Sequence, residues 1–214
     1  DLVDAVERLE AWRGAAMILQ SSDSAAFCSG GHLKDVEEAL DEPWKGRCMS
    51  AAMGSVLDTL LSLPLVSVAA IDGPAIGGGA ELITACDHRV LGPGARIHFI
   101  HARLGVTPGW GGAGRLVAHV GRRRALRILS TASPIQADEA LRIGLADIVV
   151  DDALVGAERF LAPVLALPSA AVRATKQQVA ACWRLRDFRG VLPETDAFAS
   201  VWAGPAHREA LRSR

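Results

Sequence analysis

The chain has 214 residues, half of them hydrophobic, a length that can bury a full core as one domain or as a domain with an appendage. Its 23 basic and 24 acidic side chains give a net charge of −1, which argues against nucleic acid or an anionic membrane surface as a partner. We see no signal peptide and no apolar run long enough to span a bilayer, and the cysteines lack CxxC spacing (Cys28, Cys48, Cys86, Cys182). These features predict a soluble, cytoplasmic globular protein.

The first part of the chain predicts alternating helices and strands. A helix over residues 1–13 places its apolar side chains on one face (Leu2, Val3, Val6, Leu9, Trp12). The elements predicted after it are a buried strand at 15–20, a polar turn at 21–24, a glycine-containing loop that opens into a helix at about 33, a loop at 41–45, an apolar helix at 49–63 and a strand at 65–71.

The stretch at 71–87, IDGPAIGGGAELITACD, organises the sequence. A strand ends in Asp72-Gly73-Pro74, and three glycines then lead into a helix predicted at 80–86. Because these glycines have no Cβ, a ligand can approach the free backbone N–H groups at the start of the helix. Such a loop suits a developing oxyanion, which preorganised N–H donors stabilise. A tight turn that only packs the helix against the strand is the simpler alternative.

The second half predicts further strand-and-helix units and then helices alone. Short strands are predicted at 89–91 and 95–99, an irregular glycine-rich stretch at 101–112, helices at 113–119, 122–130 and 136–143, a strand at 147–150, and helices at 154–165, 169–183 and 192–214. The pattern indicates an α/β core over residues 1–150 with a C-terminal helical region over residues 151–214.

Three glycine-bearing loops that each lead into a helix need one explanation. The triple glycine lacks the GK[ST] ending of a P-loop and the G-x-G-x-x-G spacing of a dinucleotide fingerprint. What remains is backbone N–H binding of a smaller anion, with nearby side chains that move protons.

These residues resemble the crotonase (enoyl-CoA hydratase/isomerase) superfamily over nearly the whole chain. Within it, GGGAEL, the histidine at 101, PGWGG and the WAGPAH tail are most similar to the ethylmalonyl-/methylmalonyl-CoA decarboxylases. The motifs occur in the family's order and spacing: AFCSGGHL at 26–33, DGPAIGGGAELITACD at 72–87, LGVTPGWGGAGRL at 104–116, the AxxIGLAD segment at 140–147, ATK at 174–176 and the tail at 200–211.

The resemblance implies a spiral of stacked ββα units whose C-terminal helices build a homotrimer and often a hexamer. It also implies a coenzyme A thioester as the substrate, with no cofactor and no metal. The thioester oxygen would accept hydrogen bonds from the backbone N–H groups of Gly31 and Gly78. The family's leading β-hairpin, which supplies part of the coenzyme A site, has no counterpart before Asp1, so we expect that part of the protein to be missing from this sequence.

The acid–base positions favour one reaction of the family. Hydratases use two glutamates, of which the first matches Glu81, but the second falls on His101. An imidazole can bind a substrate carboxylate and then protonate the resulting carbanion, with Glu81 as its acid–base partner. We therefore expect decarboxylation of a short 2-carboxyacyl-CoA such as a methylmalonyl or ethylmalonyl thioester. The sequence leaves two questions open: the exact acyl chain, and whether that chain is carried by free coenzyme A or by the phosphopantetheine of a carrier protein.

Other residues carry less specific expectations. The resemblance implies that five further residues contact the substrate (His32, Leu33, Lys34, Gly77, Trp110). Two of them have a simpler alternative role, since His32 could cap a helix and Trp110 could serve packing. Arg122 to Arg124 suit a solvated helix face or a coenzyme A phosphate contact. Cys28 has no evident partner base, and it suits a buried hydrophobic position better than a nucleophile. His98 and His101 would face opposite sides of a strand, which disfavours a shared metal.

Two rival functions remain. One is an enoyl-CoA hydratase or isomerase that uses Glu81 alone. The other is a crotonase-like subunit that only binds acyl-CoA or serves assembly, which the glycine at 31 and the histidine at 32 favour because both depart from the family pattern.

Overall fold

Two small β-sheets, with helices packed on both faces of the larger one, form the frame of the protein. The computed structural model describes residues 2–22, 25–31, 42–184 and 202–212. The strands are β1 (Ala16–Leu19), β2 (Val66–Ile71), β3 (Pro74–Ile76), β4 (His88–Leu91), β5 (Arg96–His98), β6 (Ile135–Gln136) and β7 (Ile148–Val149). The helices are α1 (Leu2–Ala11), α2 (Pro43–Ser62), α3 (Gly78–Ile83), a 3₁₀ helix (Ile100–Leu104), α4 (Gly112–Val120), α5 (Arg122–Thr131), α6 (Ala137–Ile143), α7 (Ala153–Leu165), α8 (Ser169–Arg184) and α9 (Pro205–Arg212).

The larger sheet is parallel throughout, in the order β1-β2-β4-β7, with Val68 beside Ile18 and Ala70 beside Val90. The smaller sheet has the order β3-β5-β6, in which β5 runs parallel to β3 and antiparallel to β6. Strand β2 is apolar along almost its whole length because helices cover both faces of the sheet. This mixed architecture confirms the predicted α/β class.

Buried side chains pack in separate groups around the larger sheet. On one side, α7 contributes Ala153, Ala157 and Leu161 against Val68 and Val90. The largest group lies between the two sheets and α3, α4, α5 and α6, and includes Ile71, Ile83, Leu91, Phe99 and Leu116. Helix α7 thus shares a core with the sheet. The proposed boundary at residue 150 stays a prediction.

Several predicted element boundaries are wrong. Helix α2 begins at Pro43, within the predicted loop, because proline is favoured in the first turn of a helix. Strands β3 and β6 were not predicted, since each is only two or three residues long. The predicted helix over 192–214 is interrupted by a turn at 202–204, where Ala203 has a φ of 55° and Gly204 precedes a proline. The rest of that helix before residue 202, and the helix predicted from residue 33, lie outside the described residues.

The apolar face predicted for the first helix is only partly buried. Val6 is buried, and Leu2 and Leu9 pack against the same group of side chains, whereas Val3 and Trp12 are 43% and 45% exposed. Within the described ranges, no single helix is long and apolar enough to cross a membrane. Helices α7 and α8 meet the length and composition of a span only together, across a bend of 103°.

Charged side chains fix the edge of the larger sheet. The Arg89 guanidinium donates to the backbone carbonyls of Leu145 and Cys86, and burial lowers its pKa. Burial alone would raise the pKa of Asp147, but the hydrogen bonds from His88 and from the Arg89 amide outweigh it and hold that pKa below its usual range. These contacts join β4 to the segment that precedes β7, so the sheet edge is fixed by polar as well as apolar contacts.

His119 of α4 makes the stability of the protein sensitive to pH. Its ring bonds to the Thr84 carbonyl. Burial, with the nearby charge of Arg89, lowers the pKa of this histidine from 6.5 to about 4. Between these values the unfolded chain binds a proton that the folded chain does not, so acidification favours unfolding.

We predict that His119→Gln reduces the stability lost on acidification by up to about 2 kcal/mol between about pH 7 and pH 5. Glutamine keeps a donor for Thr84 but does not titrate. Urea denaturation of both proteins at the two pH values measures the difference. Equal losses in the two proteins would contradict the assignment.

Candidate active site

A cavity of about 150 Å³ lies between the two glycine loops, the 3₁₀ helix and the C-terminal segment. Its polar side is formed by the backbone of the two loops and by two ionisable side chains, Glu81 and His101. Its other side is apolar, and the residues there come from α2, the 3₁₀ helix and its following turn, and the segment around α9 (Met49, Leu104, Val106, Trp202, Leu211).

The two glycine loops contact each other directly through their backbones. Cys28 pairs with Ala75 as an isolated parallel bridge, and its carbonyl accepts the Ile76 N–H at 2.8 Å. Gly30 has a φ of 91°, and a Cβ placed there would lie 3.2 Å from the nitrogen of Gly78. Only glycine fits both the conformation and this approach. Gly31 and Gly78 therefore lie on the wall of the same cavity.

Glu81 is held by the backbone of a turn rather than by a cation. Only 2% of this residue is exposed. Its Oε1 accepts the N–H of Gly109 at 3.2 Å, and its Oε2 accepts those of Trp110 and Gly112 at 2.8 and 3.0 Å. Three N–H donors compensate a buried carboxylate for the loss of water.

His101 completes a buried pair with Glu81. The ring lies on the 3₁₀ helix, its residue is 8% exposed, and Nε2 is 3.0 Å from Glu81 Oε1. This separation lies within ion-pair range for a protonated ring. Within the described part of the chain Nδ1 has no hydrogen-bond partner. The ring of His101 thus lies in contact with a carboxylate whose position the turn fixes.

The turn that holds Glu81 is itself fixed from behind. The buried guanidinium of Arg115 donates to Thr84 Oγ1 at 3.1 Å, to Asp58 at 2.9 Å and to the Trp110 carbonyl. The Trp110 ring covers Gly78, where a Cβ would lie 2.1 Å from the ring. Arg115 thus sets the position of the turn, and the turn sets the position of the glutamate.

Six of the nine predicted site residues line the cavity together: Gly31, Gly77, Gly78, Glu81, His101 and Trp110. The other three, His32, Leu33 and Lys34, lie outside the described residues. Their roles in binding or chemistry stay predictions, as do those of the six. Trp110 both lines the cavity and packs on the glycine loop. Its position is therefore compatible with both predicted roles, substrate contact and packing.

The two histidines do not share a strand, so that premise of the sequence analysis is wrong. His98 ends β5 and bonds to the Ala132 carbonyl at 2.9 Å, whereas His101 lies on the 3₁₀ helix with Glu81. Among the described residues, no group of three or more metal-ligating side chains occurs. Arg122, Arg123 and Arg124 are exposed.

The sequence analysis missed the apolar side of the cavity and the buried Arg115. The WAGPAH tail was noted only as a likeness, although it carries Trp202. A guanidinium in an amphipathic helix gives no local signal that it is buried, because its partners come from two other helices and a turn.

The sequence model of the enoyl-CoA hydratase/isomerase family matches residues 1–212, and the chain belongs to this family. Ethylmalonyl-CoA decarboxylase of Danio rerio is 41% identical over 221 residues, with 100% of this chain and 72% of the relative covered. The protein of the same name from Gallus gallus is 38% identical over 219 residues, with coverage of 100% and 73%.

Solved structures support the fold. An enoyl-CoA hydratase/isomerase from Mycobacterium paratuberculosis superposes with a TM-score of 0.89 at 21% identity, with 100% of this chain and 86% of that chain covered. An enoyl-CoA hydratase from Bacillus halodurans gives a TM-score of 0.84 at 23% identity, with coverage of 100% and 88%. The crotonase-type fold predicted from the motifs is thereby confirmed.

Two glycines of α4 test the anchoring of Glu81. A Cβ at Gly112 would lie 2.5 Å from Glu81 Cγ, whereas one at Gly114 meets nothing within 4 Å. We predict that Gly112→Ala lowers the free energy of unfolding by about 1–3 kcal/mol because the anchored side chain must move. The control Gly114→Ala raises it by up to about 1 kcal/mol, since alanine favours the helix. Chemical denaturation measures both values, and equal stability of the two variants would contradict the anchoring.

Proposed function

We propose that this protein decarboxylates a short 2-carboxyacyl-CoA, such as a methylmalonyl- or ethylmalonyl-CoA, to the corresponding acyl-CoA. The observation that carries the proposal is the buried pair of Glu81 and His101 on the wall of a cavity that two glycine loops also line. The relatives named ethylmalonyl-CoA decarboxylase support the same activity.

The contacts of Glu81 disfavour hydration. Three backbone N–H groups already occupy most of the acceptor sites on its two oxygens, and the His101 ring lies 3.0 Å from Oε1, which reduces the capacity of the carboxylate to bind and activate water. A hydratase of this family also needs a second carboxylate, and an imidazole stands in that position. The ring is suited to a substrate that brings its own carboxylate.

The reaction needs one bond broken and one proton added. The thioester oxygen accepts the N–H groups of Gly31 and Gly78, which stabilise negative charge on that oxygen. The bond between the α-carbon and the carboxylate breaks, CO₂ leaves, and the electron pair enters the thioester as an enolate. His101 first binds the carboxylate and then gives a proton to the α-carbon, while Glu81 stabilises the charged ring. The thioester itself accepts the electrons, so the proposal requires no cofactor and no metal.

Proteins of this family bind acyl-CoA and commonly form oligomers. We propose that this chain forms a homotrimer or a hexamer of two trimers, and that it acts in the cytoplasm. The near-balanced charge of the chain supports a small-molecule substrate rather than nucleic acid or a membrane as its partner.

A paired assay with methylmalonyl- or ethylmalonyl-CoA and crotonyl-CoA tests the reaction. We expect CO₂ release from the malonyl thioesters and little hydration of crotonyl-CoA. His101→Gln should lower kcat for CO₂ release by about 10²–10⁴-fold because the proton donor is lost. His98→Gln is the matched control, since its ring bonds a backbone carbonyl. Hydration without CO₂ release would identify a hydratase, and binding without either reaction would identify an acyl-CoA-binding subunit.

The first glycine loop can be tested by removing a single N–H. Gly31→Pro lacks the backbone donor, whereas Gly31→Ala keeps it. We predict that the proline variant loses about 10²–10³-fold in kcat and that the alanine variant stays close to the wild type. Thermal denaturation of both variants checks the fold. Similar kcat values for the two would exclude Gly31 as a donor.

A further inference from the structure

The apolar side of the cavity is a defined structural unit, which we call the apolar wall (Met49, Leu104, Val106, Trp202, Leu211). Trp202 and Val106 are buried in contact with one another, and the other three pack around them. All five also line the cavity. The wall therefore combines the C-terminal segment with α2 and the 3₁₀ helix, and its largest side chain is the indole of Trp202.

The indole has little freedom to move. Trp202 is 5% exposed, and its ring lies directly on the backbone of Gly46 in α2, where a Cβ would be 2.4 Å from Trp202 Cγ. Just after it, Arg208 Nε donates to the Ala203 carbonyl at 2.6 Å, which closes the turn into α9. A ring seated on a glycine and held by a closed turn is a fixed boundary rather than an adaptable one.

The apolar wall stands beside the proposed chemistry. Leu104 follows His101 by three residues, and side chains with this spacing lie above one another in a 3₁₀ helix. His101, Leu104 and Trp202 line the same cavity, so a substrate whose carboxylate contacts the His101 ring has its α-carbon in the space that the apolar wall bounds. The wall is apolar where an alkyl branch would lie.

The indole is the largest side chain on the apolar side of this cavity of about 150 Å³. A longer branch that extends toward this side meets the indole.

We propose that Trp202 determines substrate specificity by limiting the length of the 2-alkyl branch of the malonyl thioester. This inference rests on the proposed decarboxylation, whose substrate it narrows. One methylene in an apolar pocket changes discrimination by about 10–200-fold, so a single side chain can set the limit.

The test compares kcat/KM for CO₂ release from ethylmalonyl-CoA and from butylmalonyl-CoA with one preparation of each protein. The ratio does not depend on the fraction of active enzyme, so partial unfolding of a variant leaves it unchanged. We expect Trp202→Leu to raise the butyl-to-ethyl ratio at least about tenfold, with Trp202→Phe between it and the wild type. Trp12→Leu is the matched control, because Trp12 is 45% exposed and does not line the cavity.

Binding separates failure of this inference from failure of the proposed reaction. Kd values for butyryl-CoA and hexanoyl-CoA report on the apolar wall without any chemistry. If the wild type releases no CO₂ but Trp202→Leu still shifts the Kd ratio toward hexanoyl-CoA, the size limit holds and the decarboxylase proposal is overturned. If CO₂ is released and both ratios match those of Trp12→Leu, the role of Trp202 is overturned and decarboxylation stands.

Discussion

The burial of one carboxylate governs the architecture of this site. A charge shielded from water is costly unless hydrogen bonds replace the lost hydration, and Glu81 meets this demand with three backbone N–H groups. The turn at 109–112 must therefore stand at one fixed distance from α3. Its own support follows from the same requirement, because Arg115 binds the carbonyl of Trp110 while the amide of that residue binds the glutamate. A cation buried behind the turn thus holds an anion in front of it.

This arrangement makes the glycines of the site interdependent. Gly112 leaves room for the glutamate, Gly78 leaves room for the Trp110 ring, and Gly30 allows the first loop to reach the second. Each missing side chain permits a contact between two segments that are far apart in sequence. One side of the cavity is consequently lined by the backbone of the two glycine loops, with Glu81 and His101 beside it.

The sequence was informative where local geometry and chemistry coincide. The glycine loops, Glu81 and His101 lie in motifs whose spacing preserves their register, so their convergence in one cavity could be predicted. The apolar wall could not, because Met49, Leu104 and Trp202 come from three segments and each is an ordinary core residue in its own surroundings. The start of α2 was misjudged for a related reason. Proline and glycine near its first turn suggest a loop, yet Pro43 fits the first turn and Gly46 is required by the indole packed on it.

The replacement of a second acid by an imidazole is best understood as a matter of charge. Glu81 is an anchored anion, and a second carboxylate at position 101 would leave two negative charges facing a substrate that carries a third. Like charges at such distances in a site of low dielectric repel strongly, so a malonyl thioester would be excluded. An imidazole 3.0 Å from Glu81 adds no second negative charge at that position, so a substrate carboxylate meets one anion rather than two. The imidazole beside an anchored glutamate thus removes, on electrostatic grounds, one obstacle to a substrate that carries a carboxylate.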